Sequence, residues 1–213
     1  MQKMAVLGCV GVLFLVGVIA LLVGVGGYNS LNVKSNAVDG KWADVQTQYQ
    51  RRADLIPNLV KTVEGSANFE KSTLEAVIQA RASATQVKID PSHAPTDPAQ
   101  LDAYQKAQDN LSGSLGRLLV SVEKYPDLKS TTAFRDLSAE LAGTENRIAV
   151  ARHDFNDATQ GYNTARRSFP TVLYASLVGF QDKPFFKADE AAQSAPKVDF
   201  GSFGGTSAPS PGR

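Results

Sequence analysis

The chain has 213 residues but only one cysteine and two histidines. Because the cysteine, Cys9, lies in an apolar N-terminal run, the rest of the chain lacks disulfides, thiolate nucleophiles and cysteine metal ligands. No helical Glu-x-x-His pair is present to build a carboxylate-bridged metal site around His93 or His153. The sequence therefore predicts neither a metal nor another cofactor.

The chain also lacks a marked excess of positive or negative charge, since it has 22 basic and 21 acidic residues. A basic stripe for nucleic acid is therefore absent, and we predict no nucleic-acid partner. The glycines of 201–205 lie in a tail and not between a strand and a helix, so they do not form a phosphate-binding loop. No Ser-His-Asp grouping can be picked out, and the sequence predicts that the protein is not an enzyme.

What the chain does have is an uncharged apolar run over residues 4–27. As a helix it would be about 36 Å long, enough to cross a hydrocarbon core of about 30 Å. A cleaved signal peptide is the alternative, with Gly24 to Gly26 as a small-residue site, but its apolar region is usually only about 7–15 residues long. We predict a single-pass anchor in the cell (inner) membrane. Lys3 before the run and Lys34 and Lys41 after it do not settle which side the rest of the chain faces.

The longest regular pattern runs from Phe134 to Phe169. Apolar or small residues recur there at alternating steps of three and four, for roughly five heptads, which is typical of a helix packed lengthwise on other helices. The positions are Phe134, Leu137, Leu141, Thr144, Ile148, Ala151, Phe155, Ala158, Tyr162, Ala165 and Phe169.

Three earlier stretches have the same period. They predict helices from about Ser30 to Gly65, from Phe69 or Lys71 to about Lys88, and from Asp97 or Pro98 to Tyr125, and residues 89–98 with three prolines predict a loop.

Two features of the first predicted helix need a decision. We expect a kink and not an end at Pro57, because the apolar register continues beyond it. A corner is predicted at residues 65–68, with Gly65 near the C-cap and Asn68 as N-cap; a single rod through this corner is the alternative.

Together these patterns predict an all-α fold: an N-terminal transmembrane helix followed by an antiparallel up-and-down four-helix bundle with long helices. The predicted division is an anchor at 1–27, a bundle at 28–187 and a flexible tail at 188–213.

Charged residues flank the apolar seam of the last helix. We predict that Glu140, Glu145, Arg147 and Arg152 make inter-helix contacts, chiefly with charges on the first bundle helix. The partners predicted there are Arg51, Arg52 and Asp54. A second set lies opposite the seam and is either a solvated back face or a surface for a partner or second copy: Asn146, His153, Asn156 and Asn163.

The apolar run 171–180 is too short to span a bilayer. In an up-and-down bundle it would end near the membrane surface. Either Phe180, Phe185 and Phe186 enter the interface there, or the run folds back as a cap on the bundle.

Several of these motifs, in this order, resemble the LemA family. They are Tyr28-Asn29-Ser30-Leu31, the stretch 51–60 around Pro57, Tyr125-Pro126-Asp127-Leu128, Thr144-Glu145-Asn146-Arg147-Ile148, Ala151-Arg152, Phe155-Asn156, Tyr162-Asn163, Phe169-Pro170, Lys183-Pro184-Phe185-Phe186 and 196–200. The resemblance implies a single-span bacterial membrane protein with an antiparallel helical bundle, and it supplies no catalytic residues.

The expected function is a membrane-anchored scaffold or interaction module, bound to the bilayer through residues 4–27 and to an unidentified membrane or membrane-associated protein. One alternative is a protein that organises membranes by self-assembly as a homo-oligomer. The other is a hydrolase that uses Glu140, Glu145 and Asp154 with His153.

Overall fold

The computed structural model of the chain describes residues 2–66 and 69–187. Regular structure in these residues is helical throughout, and this confirms the all-α prediction. The elements are α1 (Gln2–Glu64), α2 (Lys71–Gln86), α3 (Pro98–Val122), α4 (Pro126–Ser130), α5 (Thr132–Arg167) and a 3-10 turn, Thr171–Leu173. The predicted tail, 188–213, lies outside the described residues.

The apolar run and the first bundle helix form one continuous helix, α1. The sequence predicted two helices separated near Gly26 and Gly27, and that boundary is absent. Glycine weakens a helix without stopping it. Gly27 also has a packing role, because a Cβ atom at this position would lie 1.9 Å from the Tyr174 hydroxyl oxygen.

The buried side chains form two apolar clusters along α1. The near cluster, closer to the N-terminus, joins Leu31 to Tyr49 of α1 with Ile148 to Tyr162 of α5. The far cluster joins Ile56 to Val63 of α1 with Phe134 and Leu141 of α5, and it also contains all the buried positions of α2. α5 is therefore antiparallel to α1, and the up-and-down order of the bundle is confirmed.

Only the far cluster is built from four long helices. In the near cluster α2 is missing, and its place is taken by Ala94 from the loop after α2 and by Phe186 from the extended segment after α5. We call residues 180–187 the C-terminal strap. The strap lets three helices and a loop close a core that the sequence pattern assigned to helices alone.

The connections differ from the prediction in detail. The chain turns after Glu64, so the single-rod alternative is wrong. α2 is preceded by Glu70 at its N-cap, and the predicted cap Asn68 lies outside the described residues. After α3 the chain forms the short helix α4, which begins at Pro126 because proline is well accommodated in the first turn of a helix.

Most of the predicted seam of α5 is buried, but its last position is not. Phe169 is 81% exposed because α5 ends at Arg167. Near this end Thr159 and Asn163 are buried, while Ala158 and Ala165 are only partly buried. The seam shifts by one position there because the neighbouring element is the extended strap and not a helix.

Burial predicts very different costs for two neighbouring aliphatic residues of α5. Ile148→Ala removes a side chain that is 3% exposed in the near cluster, and we expect it to lower the free energy of unfolding by about 2–5 kcal/mol. Val150→Ala is the control, since Val150 is 61% exposed, and should cost less than about 0.5 kcal/mol. Urea titration of the full chain in detergent, followed by circular dichroism, measures both; equal losses would contradict the assigned core.

Candidate functional site

The most buried charge of the bundle is Arg52, which is 1% exposed and lies where the two apolar clusters meet. Its Nη1 atom donates to the Ser112 hydroxyl at 2.6 Å and to the Glu145 carboxylate at 2.9 Å. Its Nη2 atom donates to the side-chain oxygen of Gln108 at 2.5 Å. The guanidinium thus joins α1, α3 and α5 at one level, which fixes their relative register.

An aromatic ring and a second hydrogen bond of Gln108 complete the surroundings of this guanidinium. Its carbon atom lies 5.2 Å from the centre of the Tyr49 ring, a cation–π distance. Burial raises the pKa of Tyr49 to about 12, so the phenol stays neutral. Gln108 is itself buried, and its amide nitrogen also donates to the Ala84 carbonyl of α2 at 3.4 Å.

The other charged contacts are more exposed and do not all have their predicted partners. Arg51 pairs with Glu140 at 2.8 Å. Arg152 pairs with Asp109 of α3 at 3.2 Å and not with α1. Arg147 donates to Gln48 and to Thr144, and Asp54 accepts a hydrogen bond from Gln50 on its own helix.

Pro57 leaves one backbone carbonyl of α1 without its helical donor, and a side chain of the neighbouring helix α2 replaces that donor. Proline has no N–H group, so the Ala53 carbonyl four residues earlier loses its normal helical donor. Arg81 of α2 supplies one, because its Nε atom donates to the Ala53 oxygen at 2.8 Å. α1 continues to Glu64 with Leu59 and Val63 fully buried. The sequence alone indicates that such a donor is needed, since a proline inside a helix always leaves one carbonyl without its helical hydrogen bond.

Two amide side chains of α5 hold the backbone of the strap. Asn163 accepts from the Lys183 N–H at 3.0 Å and donates to the Lys183 carbonyl at 2.8 Å. Asn156 does the same with Phe186, at 2.9 and 3.0 Å. Each amide mimics a neighbouring β-strand, offering one donor and one acceptor to the same residue.

A third amide, from α3, completes the set. Gln105 accepts from the Lys187 N–H and donates to the Lys187 carbonyl, both at 3.0 Å. We call Gln105, Asn156 and Asn163 the amide clamp. Because three side chains from two helices hold one extended segment, the strap is an integral part of the fold.

Side chains of the strap add to its attachment. The Lys183 ammonium lies 2.6 Å from the Asp39 carboxylate of α1, and both groups are largely buried. Phe186 is 5% exposed and packs at ring-centre distances of 6.1 Å from Trp42 and 5.4 Å from Phe155. Of the three C-terminal aromatics predicted for the membrane interface, Phe186 is instead buried in the core and Phe180 is partly buried against it, while Phe185 is 44% exposed.

The four residues assigned to a possible partner face fall into two pairs. Asn156 and Asn163 face the strap, and only Asn146 and His153 lie on an open surface. Asn146 lines a shallow groove of about 300 Å³ between α1 and α5, together with Asp44, Gln48, Val150 and Asp154. This groove combines an exposed valine with charged and amide groups.

The side chains of the hydrolase alternative are not brought together. Glu140 and Glu145 are paired with different arginines, and Asp154 is paired with Lys41 at 3.0 Å. His153 is exposed and lies 3.4 Å from Asp157. Within residues 2–66 and 69–187 there is no group of three or more side chains with metal-ligand chemistry.

Comparison with known proteins adds a family and several relatives. The model of the LemA family matches residues 41–200. The chain is 26% identical to magnetosome protein MamQ 1 of Paramagnetospirillum magneticum, an alignment that covers 78% of this chain and 67% of the relative. It is also 26% identical to protein LemA of Metamycoplasma hominis, covering 78% of this chain and 71% of the relative.

Two adjacent arginines provide a test of the buried network. Arg52→Ala should lower the free energy of unfolding by about 3–5 kcal/mol, because it leaves the acceptors on α3 and α5, among them the buried Gln108, without their donor. Arg51→Ala, which breaks the half-exposed pair with Glu140, should cost less than about 1 kcal/mol. Urea titration of the full chain compares them; a similar loss for both would show that the Arg52 network does not hold the helices.

The amide clamp predicts where the strap can be released. Asn156→Ala together with Asn163→Ala leaves four backbone groups of the strap without their hydrogen-bond partners. Each buried group that loses its partner should lower the free energy that holds the strap in place by about 1–3 kcal/mol. We expect faster chymotrypsin cleavage after Phe185 and Phe186 and faster hydrogen exchange in the strap. Asn146→Ala, an exposed asparagine on the same helix, is the control. Unchanged cleavage in the double variant would mean that the amides do not hold the strap.

Proposed function

Because the chain belongs to the LemA family, we propose that it is a membrane-anchored, non-enzymatic bundle that acts as an interaction module or scaffold at the bacterial cell membrane. The observation that carries this proposal is the continuity of α1, which has an exposed apolar N-terminal part and a buried part in the bundle core.

The exposed part of α1 supports the anchor. Over residues 13–25 the described large apolar side chains are exposed around the whole helix, among them Phe14 at 74% and Leu22 at 64%. In water such a surface is unfavourable, whereas the hydrocarbon core of a bilayer covers it. Because the same helix continues to Glu64 without interruption, the anchor positions the bundle directly, with no linker between them.

The pairing of the charged residues supports an interaction role. The carboxylates of Glu140, Glu145 and Asp154 are each engaged by a basic residue of α1, which leaves them in structural roles. The groove beside Asn146 is open and carries exposed polar and apolar groups. The relatives are named magnetosome proteins or protein LemA, and these names state no catalytic activity.

The groove can be tested by crosslinking in living cells. A photoreactive amino acid at Asn146 or His153 should give one adduct of defined mass, containing a protein that also co-purifies with the full chain. Val150→Glu, which places a charge in the groove at an exposed position, should abolish that adduct while leaving the fold intact. The same probe at Val120, which is 70% exposed on α3, is the control.

The possible outcomes separate the alternatives. An adduct with a second copy of the chain would favour self-assembly over binding to another protein. Absence of any adduct from positions 146 and 153, or an adduct that survives Val150→Glu, would contradict the groove as the partner site. Hydrolysis of a small substrate by the purified chain, abolished by Glu145→Gln, would contradict the non-enzymatic role.

A further inference from the structure

The segment that links α5 to the strap carries a group of exposed apolar side chains. Phe169 is 81% exposed, Leu173 68% and Leu177 87%, while Val172 and Val178 are each 48% exposed. We call these five residues the collar. Single exposed apolar side chains are common on protein surfaces, whereas several in one short segment indicate a contact with lipid or protein.

The contacts of this segment fix its level along α1. The Tyr174 hydroxyl packs directly on the backbone of Gly27, where any larger residue would collide with it. The Tyr28 and Phe180 rings lie 5.5 Å apart, and Ala175 is buried in the same cluster as Leu31. The collar is therefore held beside residues 27–31, immediately after the apolar run of α1.

That level coincides with the surface of a bilayer that α1 would cross. A helical run over 4–27 is about 36 Å long and exceeds a hydrocarbon core of about 30 Å by only a few residues. Gly27 then lies at the boundary between hydrocarbon and headgroups, and side chains attached beside it can reach the acyl chains. Apolar groups of interfacial segments typically lie about 5–10 Å into this region.

We propose that the collar inserts into the bilayer interface beside α1, at a depth set by the contact between Gly27 and Tyr174. This inference rests on the proposed function, since it requires that residues 4–27 cross the bilayer. The bundle then contacts lipid at two places, the helix α1 and the collar. Two contacts restrict the rotation of the bundle about α1, and they thereby fix the direction in which the α1–α5 groove faces relative to the membrane.

A lipid occupant follows from the continuity of the apolar surface. The exposed side chains of α1 from Leu13 to Val25 end just before Gly27, and Tyr174, which packs on Gly27, lies within the segment that carries the collar. A protein occupant, either a second copy or residues 188–213 of the same chain, would have to displace lipid from a surface that lies beside the membrane span.

Spin labels on the full chain in lipid bilayers can test this proposal. In a Cys9→Ser background, single cysteines at Leu173 or Leu177 are labelled and their collisions with oxygen, which is enriched in lipid, and with a water-soluble nickel chelate are compared. Leu13→Cys reports the span and Val120→Cys, at the far end of α3, reports water; both sites are strongly exposed in the protein alone. At positions 173 and 177 we expect a ratio of oxygen collisions to nickel collisions that lies between the values at 13 and 120 and closer to the value at 13.

The other outcomes would overturn specific statements. A lipid-like ratio at 13 with a water-like ratio at 177 would overturn the collar and leave the anchor intact. A water-like ratio at 13 would overturn the anchor itself. Protection of position 177 from both reagents would show that protein covers the collar.

Neighbouring glycines test what sets the depth. Gly27→Leu should displace Tyr174 and shift the ratio at position 177 towards that at 120. Gly26→Leu is the matched control, because a Cβ atom at Gly26 meets nothing within 4 Å. An unchanged ratio in Gly27→Leu, or equal shifts in both variants, would overturn the role of the Gly27–Tyr174 contact.

Discussion

Polar groups that leave water must find partners inside the protein, and this demand organises the polar residues of the bundle. The guanidinium of Arg52 finds Ser112, Gln108 and Glu145. The Ala53 carbonyl, left without a donor by Pro57, finds Arg81. The backbone of the strap finds the three side chains of the amide clamp. Each solution joins elements that are distant in sequence, so these polar groups specify how the apolar seams align.

The continuity of α1 gives the two ends of the bundle different properties. At the far end four helices share an apolar core, with loops between them. At the near end α2 is missing, and the strap and the loop after α2 complete the core beside the proposed anchor. The parts that depend on the extended C-terminal segment therefore belong to the near cluster, at the end of the bundle next to the proposed anchor.

Sequence reasoning succeeded where a regular period carries the information. The heptad seam of α5 and the matching stripes of α1 and α3 predicted the all-α, antiparallel fold, because apolar burial on helices repeats at fixed spacing. The roles of individual polar residues followed less well. Arg152 lies beside the seam as expected, but it pairs with Asp109 of α3 and not with α1. Asn156 and Asn163 were assigned to a possible partner face, although their partners are backbone groups of a segment without any period.

By itself, the sequence determined the apolar run, the helical seams and the resemblance to the family, since all of these depend on local spacing or composition. Only the tertiary structure decided that the apolar run and the first bundle helix are one helix, that the strap replaces a helix in the near cluster, and that Arg52 and not Arg51 is the buried charge. The physical reason is that such features depend on which groups meet across long sequence distances. Two adjacent arginines of the same composition differ only in what the neighbouring helices place beside them.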